Sequence, residues 1–240
     1  MKALLLTCAL MASGFVHGQD LLMANDTRRD LYTNDGENRG SWNGMLFQVG
    51  FPVGYGESDS LRIKYGDSYF LSYGAVMKGK LNGAMSFISD SRFTWHSYKI
   101  RQSGIKQFVD SGIYKRERLN MAAFELGLGL RFNFDVNRGQ HLGWYLDILG
   151  FGGFRFVRRR TAVDEYLQND VNTKFRITDR NVKYVNRWEW GAEARFGFGY
   201  TQVFGRFRLN QLFRQSGLSD FTELTPCTVG LSLTLPPRQD

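Results

Sequence analysis

Residues 187–200 read RWEWGAEARFGFGY, and this stretch constrains the fold more than any other. Trp188, Trp190, Ala192, Ala194, Phe196, Phe198 and Tyr200 share one parity, and Glu189, Gly191, Glu193, Arg195, Gly197 and Gly199 share the other. A period of two predicts a β-strand. A soluble sheet would have to bury those acids and arginines, or else expose the aromatic face, and both are costly. A strand that turns its apolar face to lipid and its polar face to a lumen meets neither cost. The segment FELGLGLRFNF, 124–134, repeats the pattern, with Glu125, Gly127, Gly129 and Arg131 opposite Phe124, Leu126, Leu128 and Leu130.

Extended segments with related patterns recur along the chain. They begin near Trp42, Tyr69, Ala84, Asn120, Gly143, Arg187, Val203 and Cys227. Eight strands, an even number of suitable length, predict an all-β fold: an eight-stranded antiparallel transmembrane β-barrel with long extracellular loops. The expected connections span about 54–67, 79–83, 99–119, 135–142, 159–186, 201–202 and 214–226. They alternate long and short, as in outer-membrane barrels, where turns on the periplasmic side stay short. The alternative is a soluble β-sandwich or lipocalin-like barrel.

Eight strands enclose just enough room for side chains. The inward parity gives Glu125 and Arg131, then Asp147 and Arg155, then Glu189, Glu193 and Arg195, and finally Arg206 and Arg208. Mixed signs predict a structural ion-pair core, because a buried charge needs a partner. The same list also admits a narrow polar path for protons, ions or a small solute. A tight turn at Thr201-Gln202 would set Arg195 opposite Arg208, with Glu193 or Asp147 as the bridging acid. Inward glycines either leave gaps or allow close, strongly coiled strands.

The first residues suggest export. Lys2 precedes the apolar run ALLLTCALMASGFV, and Val16 and Gly18 are small residues ahead of Gln19. The expected organisation is a signal peptide at 1–18, a periplasmic segment at 19–41, the barrel at 42–235 and a short periplasmic tail at 236–240. Removing the signal leaves Cys227 as the lone cysteine, which excludes an intramolecular disulfide framework. No later apolar run is long enough for a membrane helix. The formal charge of +8 therefore does not point to nucleic acid.

Tests for chemistry give little. HExxH, CxxC, GxSxG and a phosphate-binding glycine loop are all missing from the sequence, and no cofactor is expected. His96 and Ser97 at the end of a strand, with Ser91 as another nucleophile and Glu117 or Asp110 to orient the base, raise the thought of a lipid A-modifying esterase. Adjacent strand residues point to opposite faces, which opposes that arrangement. His141 belongs to a turn at the other end of the barrel, too far to share a metal with His96. Trp42, Trp144, Trp188, Trp190, Tyr73 and Tyr200 are candidates for interfacial aromatic girdles. The third external loop and its borders are basic: Arg158, Arg159 and Arg160, then Lys174, Arg176, Arg180, Lys183 and Arg187. Asp164, Glu165, Asp170 and Asp179 offset part of this charge. Outer-membrane lipid and lipopolysaccharide phosphates are the expected contacts.

The run RWEWGAEARFGFGYTQVFGRFRLNQLF, followed by TVGLSLTL, resembles the closing strands of small outer-membrane β-barrel proteins of Bacteroidota, the PorT-like barrels among them. GSWNGMLFQVGF and AFELGLGLRFNF are similar as well. The resemblance covers roughly 42–235. It implies a cofactor-free outer-membrane barrel, in some relatives an accessory of type IX secretion and gliding, with a larger membrane protein as partner. It supplies no catalytic motif. The sequence departs from a common outer-membrane pattern in ending LPPRQD rather than on an aromatic residue.

Overall fold

The computed structural model describes residues 41–54, 62–102, 114–134, 143–168, 171–214 and 223–236. Nine strands lie within these residues: β1 (Ser41–Val53), β2 (Tyr69–Lys80), β3 (Met85–Ile100), β4 (Arg116–Asn133), β5 (Trp144–Gln168), β6 (Val171–Arg180), β7 (Trp188–Phe198), β8 (Thr201–Arg208) and β9 (Cys227–Leu235). Eight of them close a ring. β4-β3-β2-β1-β9-β8-β7-β5 are neighbours in that order, and a β4–β5 pairing completes the circle. Every pairing is antiparallel. The chain is a closed eight-stranded antiparallel β-barrel, and β6 lies outside the ring, paired only with β5.

Closure leaves every strand in the ring paired on both sides, so no sheet edge is exposed along it. The alternation of the sequence becomes an alternation of inside and outside. Along β7, Trp188, Trp190, Phe196 and Phe198 face outward and half-exposed, whereas Glu189, Glu193 and Arg195 are buried. Along β9, Leu231 is 61% exposed and Ser232 is buried. Phe47, Val49, Phe51, Leu126, Leu128 and Ile148 continue the outer apolar surface.

Four sequence expectations need correction. The loop expected at 159–186 is largely a β-hairpin, because β5 continues to Gln168 and turns into β6. Its charged, Asn- and Asp-rich composition reads as a loop, although Val171, Thr173, Phe175 and Ile177 share one parity of β6. Second, the β4–β5 ladder slips between Ala122 and Ala123, which pair with Val157 and Arg155 and leave Phe156 without an opposite residue. That bulge reverses the parity of β5. Arg158 and Arg160, expected at the border of a loop, therefore point inward and are buried.

Third, the β7–β8 turn is Gly199-Tyr200 and not Thr201-Gln202, since Phe198 pairs with Thr201. Gly199 has φ 59°, which a two-residue turn of type II′ requires of its first central residue. The register then sets Glu193 opposite Arg206 and Arg195 opposite Phe204, so the expected Arg195–Arg208 juxtaposition does not occur. Fourth, Trp42 has inward parity and packs against Leu46, Val76, Ile88 and Leu149. It is not part of an outer aromatic surface, to which Tyr73, Trp144, Trp188, Trp190 and Tyr200 do belong.

The expected signal, the segment 19–40 and the tail 237–240 lie outside the described residues, as do His141, Asp110 and the connection 135–142.

Candidate functional site: a charged belt between two apolar seals

The lumen is layered. On the side of the short turns, Leu46, Val76, Ile88 and Leu149 form an apolar cluster closed by Trp42. At the opposite end a second cluster joins strand ends to connections. Tyr98, Ile100, Leu119 and Met121 come from β3 and β4, and Ile63, Val182, Val185, Leu212, Phe213 and Leu224 come from the segments between strands. Between these seals lies a belt of buried charge.

Arg92 is the centre of the belt. Its guanidinium donates to both Glu193 oxygens, at 3.1 and 2.6 Å, and to Gln48 Oε1 at 3.1 Å. Its Nε donates to Glu125 Oε2 at 3.2 Å. Arg195 donates to Glu193 at 2.6 Å and to Asp90 at 2.5 Å. Arg206 grips Glu125 with two parallel bonds of 2.8 and 2.7 Å, while Thr94 donates to the same carboxylate at 2.9 Å. The Arg206 guanidinium lies 3.7 Å over the Phe151 ring, so its flat face is covered too. Arg155 pairs with Glu189 at 2.6 Å. Nearer the turns, Arg131 holds Asp147 in another two-bond fork of 2.7 and 2.9 Å and stacks 3.8 Å over Tyr145.

Arg92, Arg131, Arg155, Arg195 and Arg206 thus each lie within ion-pair distance of one or more of Asp90, Glu125, Asp147, Glu189 and Glu193. Bidentate guanidinium–carboxylate geometry is the form in which a buried pair best offsets its desolvation. Arg208, expected in the belt, instead sits at its rim, bonded to Glu223 at 2.6 Å and to the Leu224 carbonyl at 2.9 Å. Arg160 pairs with Glu117 at 2.6 Å and Asp179 at 3.3 Å, also above the belt.

Sequence reasoning missed Asp90 and Arg92. The signal was present, because the parity Ser86, Ile88, Asp90, Arg92, Thr94 and His96 is continuous and all of these are buried. It was obscured by Ser89 and Ser91 on the outer parity, which break the apolar face.

His96, Glu125 and Glu189 place ligand-capable atoms within 4.8 Å of one another, and His96 Nε2 is buried without a hydrogen-bond partner. Spacing alone would suit a metal ion. The charges do not, since Arg206 and Arg92 already occupy Glu125 and Arg155 occupies Glu189, and another cation would be repelled there. His96 rests between Phe70 and Tyr98, whose hydroxyl lies 3.4 Å from Nδ1. Ser97 donates to Asn120 at 2.8 Å, and Glu117 is committed to Arg160. The serine, histidine and carboxylate weighed for an esterase are therefore not brought together among the described residues.

A scan of protein-family models finds no match to the chain, and a search of curated proteins finds none either.

Proposed function

We propose that the chain is a non-enzymatic outer-membrane β-barrel that serves as a component or accessory of a larger membrane complex. One observation carries the membrane reading: the closed barrel has salt-bridged arginines inside and half-exposed Phe, Leu, Val and Trp outside. A monomeric protein in water rarely presents so continuous an apolar wall, while a bilayer is the solvent that such a wall fits. The belt and the two seals leave little use for the lumen, so the work is assigned to outer surfaces. The resemblance to PorT-like barrels of Bacteroidota favours a role in type IX secretion or surface assembly. Among the described residues no geometric feature favours the channel or esterase alternatives.

Fractionation of the source cells tests the location. The chain should appear in the outer-membrane fraction as a heat-modifiable band, and recovery from the soluble periplasm would remove the basis of the proposal. Mild-detergent purification with mass spectrometry then tests the complex. Removing residues 164–175, the outer part of the β5–β6 hairpin, should release a stoichiometric partner while the barrel still refolds. A native protein without partners at every detergent strength would leave an independent barrel.

A further inference from the structure

The wall is uneven in height. β7, β8 and β9 have 11, 8 and 9 residues, whereas β3, β4 and β5 have 16, 18 and 25. A bilayer needs about 9–11 residues per strand. The tall side therefore rises beyond the apolar band, and its outer face there is basic.

The strand register lays this face out in rows. One row sets Asn120 beside Arg159 and Arg180. The next sets Lys99 beside Arg118 and Thr161, and the one beyond sets Arg116 and Arg176 on either side of Val163. Arg159 and Arg180 are both exposed and directly opposite each other, a pairing that destabilises a ladder unless an anion lies between. Of the described acids nearby, Asp179 pairs with Arg160, and Asp164 accepts a hydrogen bond from the Glu165 amide and meets no cation. Asp67 binds Lys99 at 2.6 Å, and Glu165 pairs with Lys115. Among the described residues no acid pairs with Arg116, Arg118, Arg159, Arg176 or Arg180, and Arg118 Nε is buried without a partner. Arg116, Arg118 and Arg176 line a cleft of about 430 Å³.

An apolar groove of about 500 Å³ adjoins that cleft, lined by Phe93, Trp95, Ala122 and Phe156 among others. Ala122 lies opposite both Trp95 and Val157, a small residue flooring the groove. The bulge at Phe156 supplies its far wall. Asn120 borders the cleft and Ala122 the groove, two residues apart on β4, which is about 7 Å along a strand. Unneutralised arginines stacked directly above an apolar furrow match an amphiphile that carries a phosphate at one end.

We infer that this outer face binds a membrane lipid whose phosphate headgroup is net anionic, with that headgroup among Arg116, Arg118 and Arg176 and an acyl chain along Trp95, Ala122 and Phe156. Forked guanidinium donors suit a phosphate better than a point charge would. The inference rests on the membrane reading above.

The full-length protein refolded into vesicles of equimolar phosphatidic acid and phosphatidylcholine, then extracted in mild detergent, provides the test. Native mass spectrometry should show phosphatidic acid retained in preference to phosphatidylcholine. The double variant Arg116→Gln/Arg176→Gln should lose the preference by about fivefold for each arginine removed. Lys80→Gln, at the turn end, should leave it intact. Ala122→Trp, which fills the groove, should reduce retention with every charge in place. Equal retention by the double variant and the native chain would overturn the inference. Binding of inorganic phosphate at these arginines with no lipid retained would also do so, since it marks an ion site without a lipid. A chain that inserts as a heat-modifiable band but shows no preference sinks this inference alone. A chain that fails to insert at all sinks the membrane reading beneath it.

Discussion

Arg92 shows what a single side chain does inside this barrel. It touches carboxylates from β4 and β7 and an amide from β1, so it ties the two sides of the ring together through the lumen. Removing one member of a buried ionic network strands the others. Arg92→Ala should destabilise the barrel by about 3–5 kcal/mol in a urea refolding titration. Gln48→Ala, which removes an uncharged partner of Glu193 and Arg92, should cost less, about 1.5–3 kcal/mol. Equal, small losses for both would show that the belt carries no net strain when broken. Outside the barrel wall, Asp67 reports on a different pair. Hydrogen bonds from Lys99, and next from Lys64, lower its carboxyl from 3.8 to about 2. With the folded value depressed, the clamp is fully present above the ordinary carboxylate range and is lost as pH falls through about 2. An NMR titration should find that midpoint, and Lys99→Ala should move it toward 3.8; an unmoved midpoint would rule out the clamp. These residues were unequally legible. Glu125, Glu189, Glu193, Arg195 and Arg206 stood out because each alternates with an aromatic or aliphatic parity. Asp90 and Arg92 did not, because their strand shows serines outward.

At the scale of strands, legibility followed the contrast between faces. β4, β7 and β9 alternate cleanly, and their extents were nearly readable. The upper half of β5 and all of β6 were not, because charged, Asn and Asp residues crowd this stretch and mask the short alternation of Val171, Thr173, Phe175 and Ile177. The bulge was hidden for a related reason: Phe154 and Phe156 both point outward, so the sequence shows unbroken alternation where the ladder in fact slips. The inward glycines, ambiguous in sequence, are sites of close approach. A Cβ on Gly129 would lie 2.0 Å from the Ile148 carbonyl oxygen, and one on Gly74 would lie 2.1 Å from that of Ser91. Backbone from the neighbouring strand occupies the space a side chain would need, so the strands would have to part. Gly129→Ala should cost about 1–3 kcal/mol or more in refolding, as overpacking does. A Cβ on Gly79 meets nothing within 4 Å, so Gly79→Ala should be near neutral. Similar losses at both positions would mean that the inward glycines serve chain flexibility and not strand approach.

For the molecule as a whole, the question is whether a closed barrel is also a closed pore. Three barriers stand in series along the lumen. Trp42 and its aliphatic cluster close the turn end, the arginine–carboxylate belt fills the middle, and the cluster around Leu212, Phe213 and Leu224 closes the far end. Among the described residues the middle barrier leaves no open polar path, because its guanidinium groups are bonded across the lumen and the Arg92 and Arg206 groups also lie over the ring of Phe151. An ion entering there would have to displace a fork of charge-assisted hydrogen bonds, which are the strongest kind available to side chains. The apolar seals add a second kind of barrier, since neither can hydrate an ion. Purified protein in planar bilayers should therefore give no stable porin-like conductance at any holding potential that the membrane withstands. Phe213→Ala opens only the outermost seal and should stay equally silent, because the belt below it is intact. Coupling Phe213→Ala with Arg92→Ala breaches two of the three barriers, and any conductance should first appear there as brief, irregular events. Steady conductance by the unaltered chain would overturn the sealed-lumen reading, and with it the assignment of function to the outer wall and the loop end.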